Sequence, residues 1–375
     1  MLKQLKYINK NISFSKNSKV GEYFKSKLLK YNLKNINDEI IYEKTDENIK
    51  KSKFLLKNQK ISVIGYGSQG RAQSLNLLDS GCNVSIGVRR NGNSWKKAID
   101  DGFIPDKTLF EIDKAVNKSN IILNLLSDAG QIDKYHTIKS NIKKYSTLCY
   151  SHGFNVIYSK QTGFDVKDFQ TNDIILLAPK GSGKSVRDKY LINNGINSSY
   201  GIYQNYSGVA LEKVVSLGFL IGSPYMYETT FKNEVYSDLT GERSILMGGI
   251  SGLFKAQYDI LRENGHSPSE SFNETVEEAL ASLYPLIHEN GMDYMFSVCS
   301  STAQRGALDW RKEFEKINKP LIRHIYNEVK NGNETKNVIN SNSNINYKEK
   351  LEKELEELNN EEIWKVGKQI RKLRK

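Results

Sequence analysis

The chain has 375 residues, room for about two domains at roughly 150 residues each. With 38% hydrophobic and 26% charged residues its composition is that of a globular protein, which excludes a collagen, a wholly disordered chain and a disulfide-stapled miniprotein. The net charge of +12 is concentrated at one end, where residues 1–36 carry nine lysines against the single acid Glu22, so a nucleic-acid surface is not the expected partner.

In chain order, residues 1–21 come first, with five lysines, no acid and many Ser and Asn. Leu2, Leu5, Ile8 and Ile12 recur at helical spacing. A basic, acid-poor, amphipathic start without an apolar core is the pattern of an organelle transit peptide. We assign 1–36 to it, with the mitochondrion as destination and a plastid or related organelle as the alternative; a solvated, frayed terminus is the bland reading. From 48 to 229 short β-branched runs alternate with helical patterns: strands are expected at 61–64, 84–88, 121–126, 147–150 and 174–178, and a helix at 68–79. That alternation predicts an α/β domain with a Rossmann-type, doubly wound parallel sheet. From 230 to 375 helical periodicity takes over. Ser267-Pro268-Ser269-Glu270 starts a helix with Ser as N-cap and Pro at the first position. The seven asparagines of 331–346 predict an irregular connection, and Leu351, Leu355 and Leu358 stripe a helix from Tyr347 to Leu358. Cys82, Cys149 and Cys299 form no C-x-x-C and the five histidines no H-E-x-x-H, so free thiols and no zinc site are expected. No stretch supplies the roughly 20 apolar residues of a membrane span.

Four local patterns carry chemistry. Gly65-Tyr66-Gly67-Ser68-Gln69-Gly70 is G-x-G-x-x-G between a strand and a helix, the context that makes the pattern a dinucleotide site. About 20 residues on, where an NAD site carries an acid, stand Arg89 and Arg90, with Ser94 nearby; two guanidiniums favour a 2′-phosphate and hence NADP. Asp238 and Glu242, and again Glu274 and Glu278, are acids four apart, a spacing that suits Mg²⁺ on a helix face and equally a solvated acidic surface. His152 and Lys180 each follow a strand, at the end of the sheet where ligands bind. Residues 178–185 mimic a P-loop, but Ala178 replaces its first glycine and Pro179 follows, which argues against a P-loop ATPase.

Together these segments resemble one family. GYGSQG with NLLDSG at 76–81, SHGF at 151–154, APKGSG at 178–183, GINSSY at 195–200, SDLTGER at 237–243, LMGG at 246–249, ENGHSPSESFNETVEEAL at 263–280, GMDYM at 291–295, RGALDW at 305–310 and EIWKVGKQIRKLRK at 362–375 are similar to ketol-acid reductoisomerase, also called acetohydroxy-acid isomeroreductase. The likeness runs from about residue 50 to the end, in the short form and nearest in kind to the fungal mitochondrial enzymes. It implies a Rossmann domain followed by a knotted all-helical domain, NADP(H), and two Mg²⁺ per active site. It implies conversion of 2-acetolactate and 2-aceto-2-hydroxybutyrate to dihydroxy acids, and a homodimer or higher homo-oligomer with shared active sites. It carries Asp238, Glu242, Glu274 and Glu278 over as metal ligands, the second pair coming from the partner subunit. His152 and Lys180 match catalytic positions, Ser300 a substrate contact, and Ser127, Asp128 and Gln131 a cofactor segment. Two departures stand out: Asn155-Val-Ile replaces a proline-containing stretch of fungal relatives, and Lys184 replaces the Arg or Thr often found there.

Overall fold

The β-branched runs of the first half become strands of a single ten-stranded sheet. A computed structural model describes residues 33–36, 39–343 and 346–374. The strands are β1 Leu33–Ile36, β2 Glu39–Glu43, β3 Lys60–Ile64, β4 Asn83–Gly87, β5 Leu109–Phe110, β6 Ile121–Asn124, β7 Thr147–Tyr150, β8 Asp173–Pro179, β9 Ser198–Gln204 and β10 Tyr225–Glu228. Their spatial order is β1-β2-β10-β9-β8-β7-β6-β3-β4-β5. The run β5-β4-β3-β6-β7-β8 is parallel throughout and has the strand order of a dinucleotide-binding sheet, with its reversal between β3 and β6. Helices flank the strands: α1 Asp46–Leu56, α2 Ser68–Asp79, α3 Asn93–Asp100, α4 Ile112–Lys118, α5 Asp128–Asn141, α6 Gly183–Leu191 and α7 Ala210–Leu220.

Successive side chains of a strand point to opposite faces, and here both faces are covered. Ile121 and Leu123 of β6 join one core cluster while Ile122 joins the other. Ile175 and Leu177 of β8 divide from Ile174, Leu176 and Ala178 in the same way. This is why these strands read as unbroken apolar runs.

The expected Rossmann-type parallel core is present, and further strands extend it into a mixed sheet. β9 lies antiparallel to β8, β2 antiparallel to β10, and β1 antiparallel to β2. β9 is Ser-Ser-Tyr-Gly-Ile-Tyr-Gln and β10 Tyr-Met-Tyr-Glu, without the β-branched run that marks a central strand. Such segments become strands because a neighbouring edge offers unpaired backbone groups. The segment read as a targeting address lies outside the described residues except for Leu33–Ile36, which are β1.

The compact units divide between Glu234 and Val235, inside helix α8 Phe231–Gly241. The second unit is helical, with α9 Gly248–Glu263, α10 Pro268–Phe272, α11 Tyr284–Asn290, α12 Ser301–Asn331, α13 Asn333–Ser343, α14 Tyr347–Asn360 and α15 Glu362–Lys372. Ser267 caps α10 as its residue type predicts, accepting from the Glu270 N–H at 3.2 Å. The irregular connection expected over 331–346 is corrected to helix α13. Gly332 at φ 74° ends α12 in a left-handed turn and the chain winds again at once, anchored by the fully buried Thr335; asparagine's modest helix propensity is a weak prior against that anchoring. The core of the second unit is Tyr258, Phe272, Val276, Ile363 and Val366. α15 lies so close to α10 that a Cβ on Gly367 would stand 2.7 Å from the Phe272 ring. Tyr258 and Arg262 both donate to Glu362, pinning the start of α15 to α9. Among the described residues no helix is long and apolar enough to cross a membrane.

Candidate active site

The glycine-rich turn joins β3 to α2 at the strand-order reversal. Gly65 adopts φ 93°, and a Cβ there would stand 2.8 Å from the Leu125 carbonyl oxygen after β6, so only glycine fits. Gly70 packs under the Gly65 carbonyl. At Gly67 a Cβ would meet nothing within 4 Å, and no side chain caps α2, so the first-turn N–H groups border an open cradle. A cradle of free N–H groups at a helix N-terminus is what a pyrophosphate requires. The side chains of the motif serve the protein itself. Tyr66 is buried and donates to Asp101 at 2.8 Å; burial first, and then the Asp101 carboxylate, raises its hydroxyl well above the ordinary tyrosine range. Arg71 grips the same carboxylate through Nε and Nη2 at 2.6 Å each. Gln69 donates to the Gly181 carbonyl at 2.8 Å.

The turn after β4 treats its two arginines differently. Arg90 lies over the buried Trp95 ring at 4.8 Å and pairs with Asp106 at 2.9 Å and Glu111 at 3.8 Å. Arg89 folds back over Gly92, at the N-terminus of α3, and Ser94 lies in the first turn of that helix. Of the segment after β6, Ser127 caps α5 by accepting from the Gly130 N–H at 3.3 Å. The Gln131 amide is buried, donating to the Leu126 carbonyl and accepting from Asn155, which also donates to the Asp128 carbonyl. Asn155, the departure noted in the sequence, thus ties the loop after β7 to the loop after β6.

His152 follows β7 and Lys180 follows β8, and both converge on Glu234 of α8. The His152 Nδ1 lies 3.2 Å from Glu234 Oε2, the Gly153 N–H donates to the same oxygen at 3.3 Å, and Lys180 Nζ stands 3.6 Å from Oε1. Glu234 is only 2% exposed. Burial pushes its carboxyl up, but the His152 hydrogen bond, the charges of His152 and Lys180 and the Gly153 N–H outweigh it and hold the group below the usual carboxylate range. An ionised carboxylate only accepts, so the imidazole presents a proton to it on Nδ1, and in the neutral ring Nε2 is then the nitrogen without one. The P-loop look-alike is dismissed by geometry as well, since Lys184 turns to solvent and pairs with Asp188.

In the second unit Asp238 lies in the regular helix α8, while the other three acids sit where the helices loosen. Glu242 opens a π-helical turn, Glu242–Leu246, directly after α8. Glu274 lies in another, Asn273–Glu277, and Glu278 caps it. Such turns bulge a helix and recur at functional sites. Gly248 and Gly249 follow the first turn so tightly that a Cβ on Gly249 would stand 2.6 Å from the Ser244 carbonyl oxygen. Glu274 and Glu278 are exposed, and no three of the four acids come within 4.8 Å of one another among the described residues. Ser300 caps α12, its Oγ accepting from the Ala303 N–H at 3.2 Å, which leaves the hydroxyl proton to donate elsewhere.

Residues 55–225 match the family described as "Acetohydroxy acid isomeroreductase, NADPH-binding domain" and residues 231–375 "Ketol-acid reductoisomerase, C-terminal domain". The chain belongs to the ketol-acid reductoisomerase family. It is 52% identical over 90% of its length to the mitochondrial ketol-acid reductoisomerase of Neurospora crassa, covering 83% of that protein. It is 53% identical over 90% of its length to the mitochondrial enzyme of Saccharomyces cerevisiae, covering 85% of it. Among solved structures, an NADH-preferring ketol-acid reductoisomerase from an uncultured archean superposes with a TM-score of 0.74 at 32% identity, over 85% of this chain and 96% of that one. The chain is thus an oxidoreductase whose first unit is a nicotinamide dinucleotide domain. Glu234, the group that orients His152 and Lys180, lies outside the motifs that the sequence singles out. Its signal was present: it stands four residues before Asp238, one helical turn along the same helix.

Proposed function

We propose that the chain converts 2-acetolactate to 2,3-dihydroxyisovalerate, and 2-aceto-2-hydroxybutyrate to the corresponding isoleucine precursor, with NADPH and Mg²⁺, in the mitochondrion. The observation that carries this reading is that a dinucleotide cradle and the His152–Glu234–Lys180 cluster both lie at the C-terminal ends of the parallel strands of one sheet. The cradle fits the pyrophosphate, and Arg89, Ser94 and the α3 N-terminus fit a 2′-phosphate. Asp238, Glu242, Glu274 and Glu278 are all hard oxygen donors and would hold two Mg²⁺. When bound, the metal polarises the substrate's ketone and hydroxyl oxygens for alkyl migration, and the nicotinamide supplies hydride.

The residues present supply positioning and protons. Glu234 fixes the imidazole so that Nε2 of His152 is the atom able to take a proton at the substrate side. The ammonium of Lys180, held by the same carboxylate, is placed to donate one to a developing oxyanion. Ser300 offers a hydroxyl donor to a substrate oxygen.

The partner we propose is a second copy of the chain. In a single chain the 31-residue helix α12 leaves Trp310 66% and Ile317 70% exposed, together with Phe314 and Leu321 on the same helix face. An exposed apolar stripe along one helix face supports an interface. In this proposal the two acid pairs complete each other across subunits. Removal of the basic leader ahead of Leu33 would leave β1 intact, and sequencing the mature N-terminus checks it.

NADPH oxidation with 2-acetolactate, with and without Mg²⁺, is the direct test. We expect turnover only with the metal, and none in Asp238→Ala. Metal-independent reduction of a simple 2-ketoacid, with no activity on 2-acetolactate, would replace this reading with that of an ordinary hydroxyacid dehydrogenase.

A further inference from the structure

We infer that Gln73 is a positioning residue that locks the cofactor helix to both loops bearing the proton-transfer groups; this rests on the proposed reaction. Gln73 lies on α2, one turn after the glycine motif, and is fully buried. Its Nε2 donates to Gln69 Oε1 at 3.1 Å and to Ser151 Oγ at 2.9 Å. Gln69 in turn donates to the Gly181 carbonyl at 2.8 Å. Ser151 immediately precedes His152, and Gly181 immediately follows Lys180. One amide therefore ties the turn that receives the pyrophosphate to each of the two loops that reach Glu234. Gly183 adds a steric lock, since it packs against the Ser68 backbone with no room for a Cβ.

Energetics single this residue out. Burying an amide costs free energy unless its groups are paired. The Oε1 of Gln73 has no hydrogen-bond partner among the described residues. An apolar side chain of the same length would fill the space without that cost. The donor bonds to Gln69 and Ser151 are what the polar residue adds, and both lead to catalytic loops. Settling of the dinucleotide on the first turn of α2 is thus transmitted to the placement of His152 and Lys180 through bonds that contact neither substrate nor cofactor.

The test compares wild type with Gln73→Met, which keeps length and loses the donor, and with Ser151→Ala, which removes the acceptor at the half-buried end. For Gln73→Met we expect NADPH affinity within about threefold of wild type and kcat on 2-acetolactate lower by about tenfold or more, the scale of a small misplacement of reacting groups. The double variant should lose no more than the worse single one, because both cut one connection. Independently of turnover, NADPH binding should slow amide hydrogen exchange in peptides covering 150–153 and 179–182 of wild type, and this response should vanish in Gln73→Met. An exchange response that persists in Gln73→Met, additive losses in the double variant, or a fall in NADPH affinity that accounts for the whole loss of activity would each overturn the assignment. If wild type fails to turn over 2-acetolactate, the functional reading falls and the exchange response still decides the role of Gln73.

Discussion

At the scale of residues, Glu234 is the most consequential side chain that touches both His152 and Lys180. Replacing it with Gln removes the charge and keeps the shape. We expect Glu234→Gln to lower kcat by about 100-fold, within the range of proton-transfer groups, with a much smaller change in NADPH affinity. Its carboxyl is held below the ordinary range in the folded state, so its contribution to stability is fully present above the unfolded value of about 4.3 and is lost as pH falls through the folded one. Thermal melts should therefore show wild type more stable than Glu234→Gln at pH 6, with the gap closing as pH falls below about 4. Arg89 and Arg90 give a second contrast. Arg90 is already shared among Asp106, Glu111 and Trp95, so Arg89 is the arginine we propose as the reader of a 2′-phosphate. Arg89→Ala should raise the KM for NADPH by about tenfold or more and hardly move that for NADH, and Arg90→Ala should do less. Equal losses for both cofactors in steady-state kinetics would reject the assignment.

At the scale of elements, the second acid pair depends on how α15 is packed. Gly367 faces the Phe272 ring, and Phe272 directly precedes the π-turn that presents Glu274. Gly367→Val forces the two helices apart. We expect a loss of about 1–3 kcal/mol in urea unfolding, the usual cost of overpacking, and weaker Mg²⁺ binding by calorimetry in the fraction that remains folded. The elements also differ in how far they can be read from the chain. The central strands and the caps at Ser267 and Ser300 are local patterns: alternation between two buried faces, and an oxygen placed to accept a first-turn N–H. β9 and β10 are not local. They exist because Leu177 and Ala178 of β8 present backbone groups to Tyr200 and Ser199, and β2 then completes the edge. Helix α13 is the opposite failure, an asparagine-rich stretch whose composition suggests irregularity until Thr335 is seen to be buried.

At the scale of the whole molecule, the proposed assembly of two copies rests on the exposed apolar face of α12. Trp310→Glu with Phe314→Glu should shift the sedimentation profile to monomer and abolish turnover while the dinucleotide unit still binds NADPH. Complementation gives a sharper reading. Asp238→Ala and Glu274→Ala chains, each inactive alone, are expected to recover about a quarter of wild-type activity after mixed refolding, because half of random dimers then hold one intact site of two. Absence of recovery would mean that each chain builds its own metal site.

By itself, the order of residues determined the dinucleotide turn, the alternation of the central strands, the paired acids and the family, because each depends on short spacings or on long colinear motifs. Only the tertiary structure decided that the sheet is mixed, that Tyr66 and Gln131 face the interior, that Arg90 is occupied, and that Glu234 stands between His152 and Lys180. The physical reason is separation along the chain. Glu234 lies 82 residues from His152, and no local periodicity encodes which distant groups a closed core will press together, or which of two identical side chains a neighbouring acid will claim.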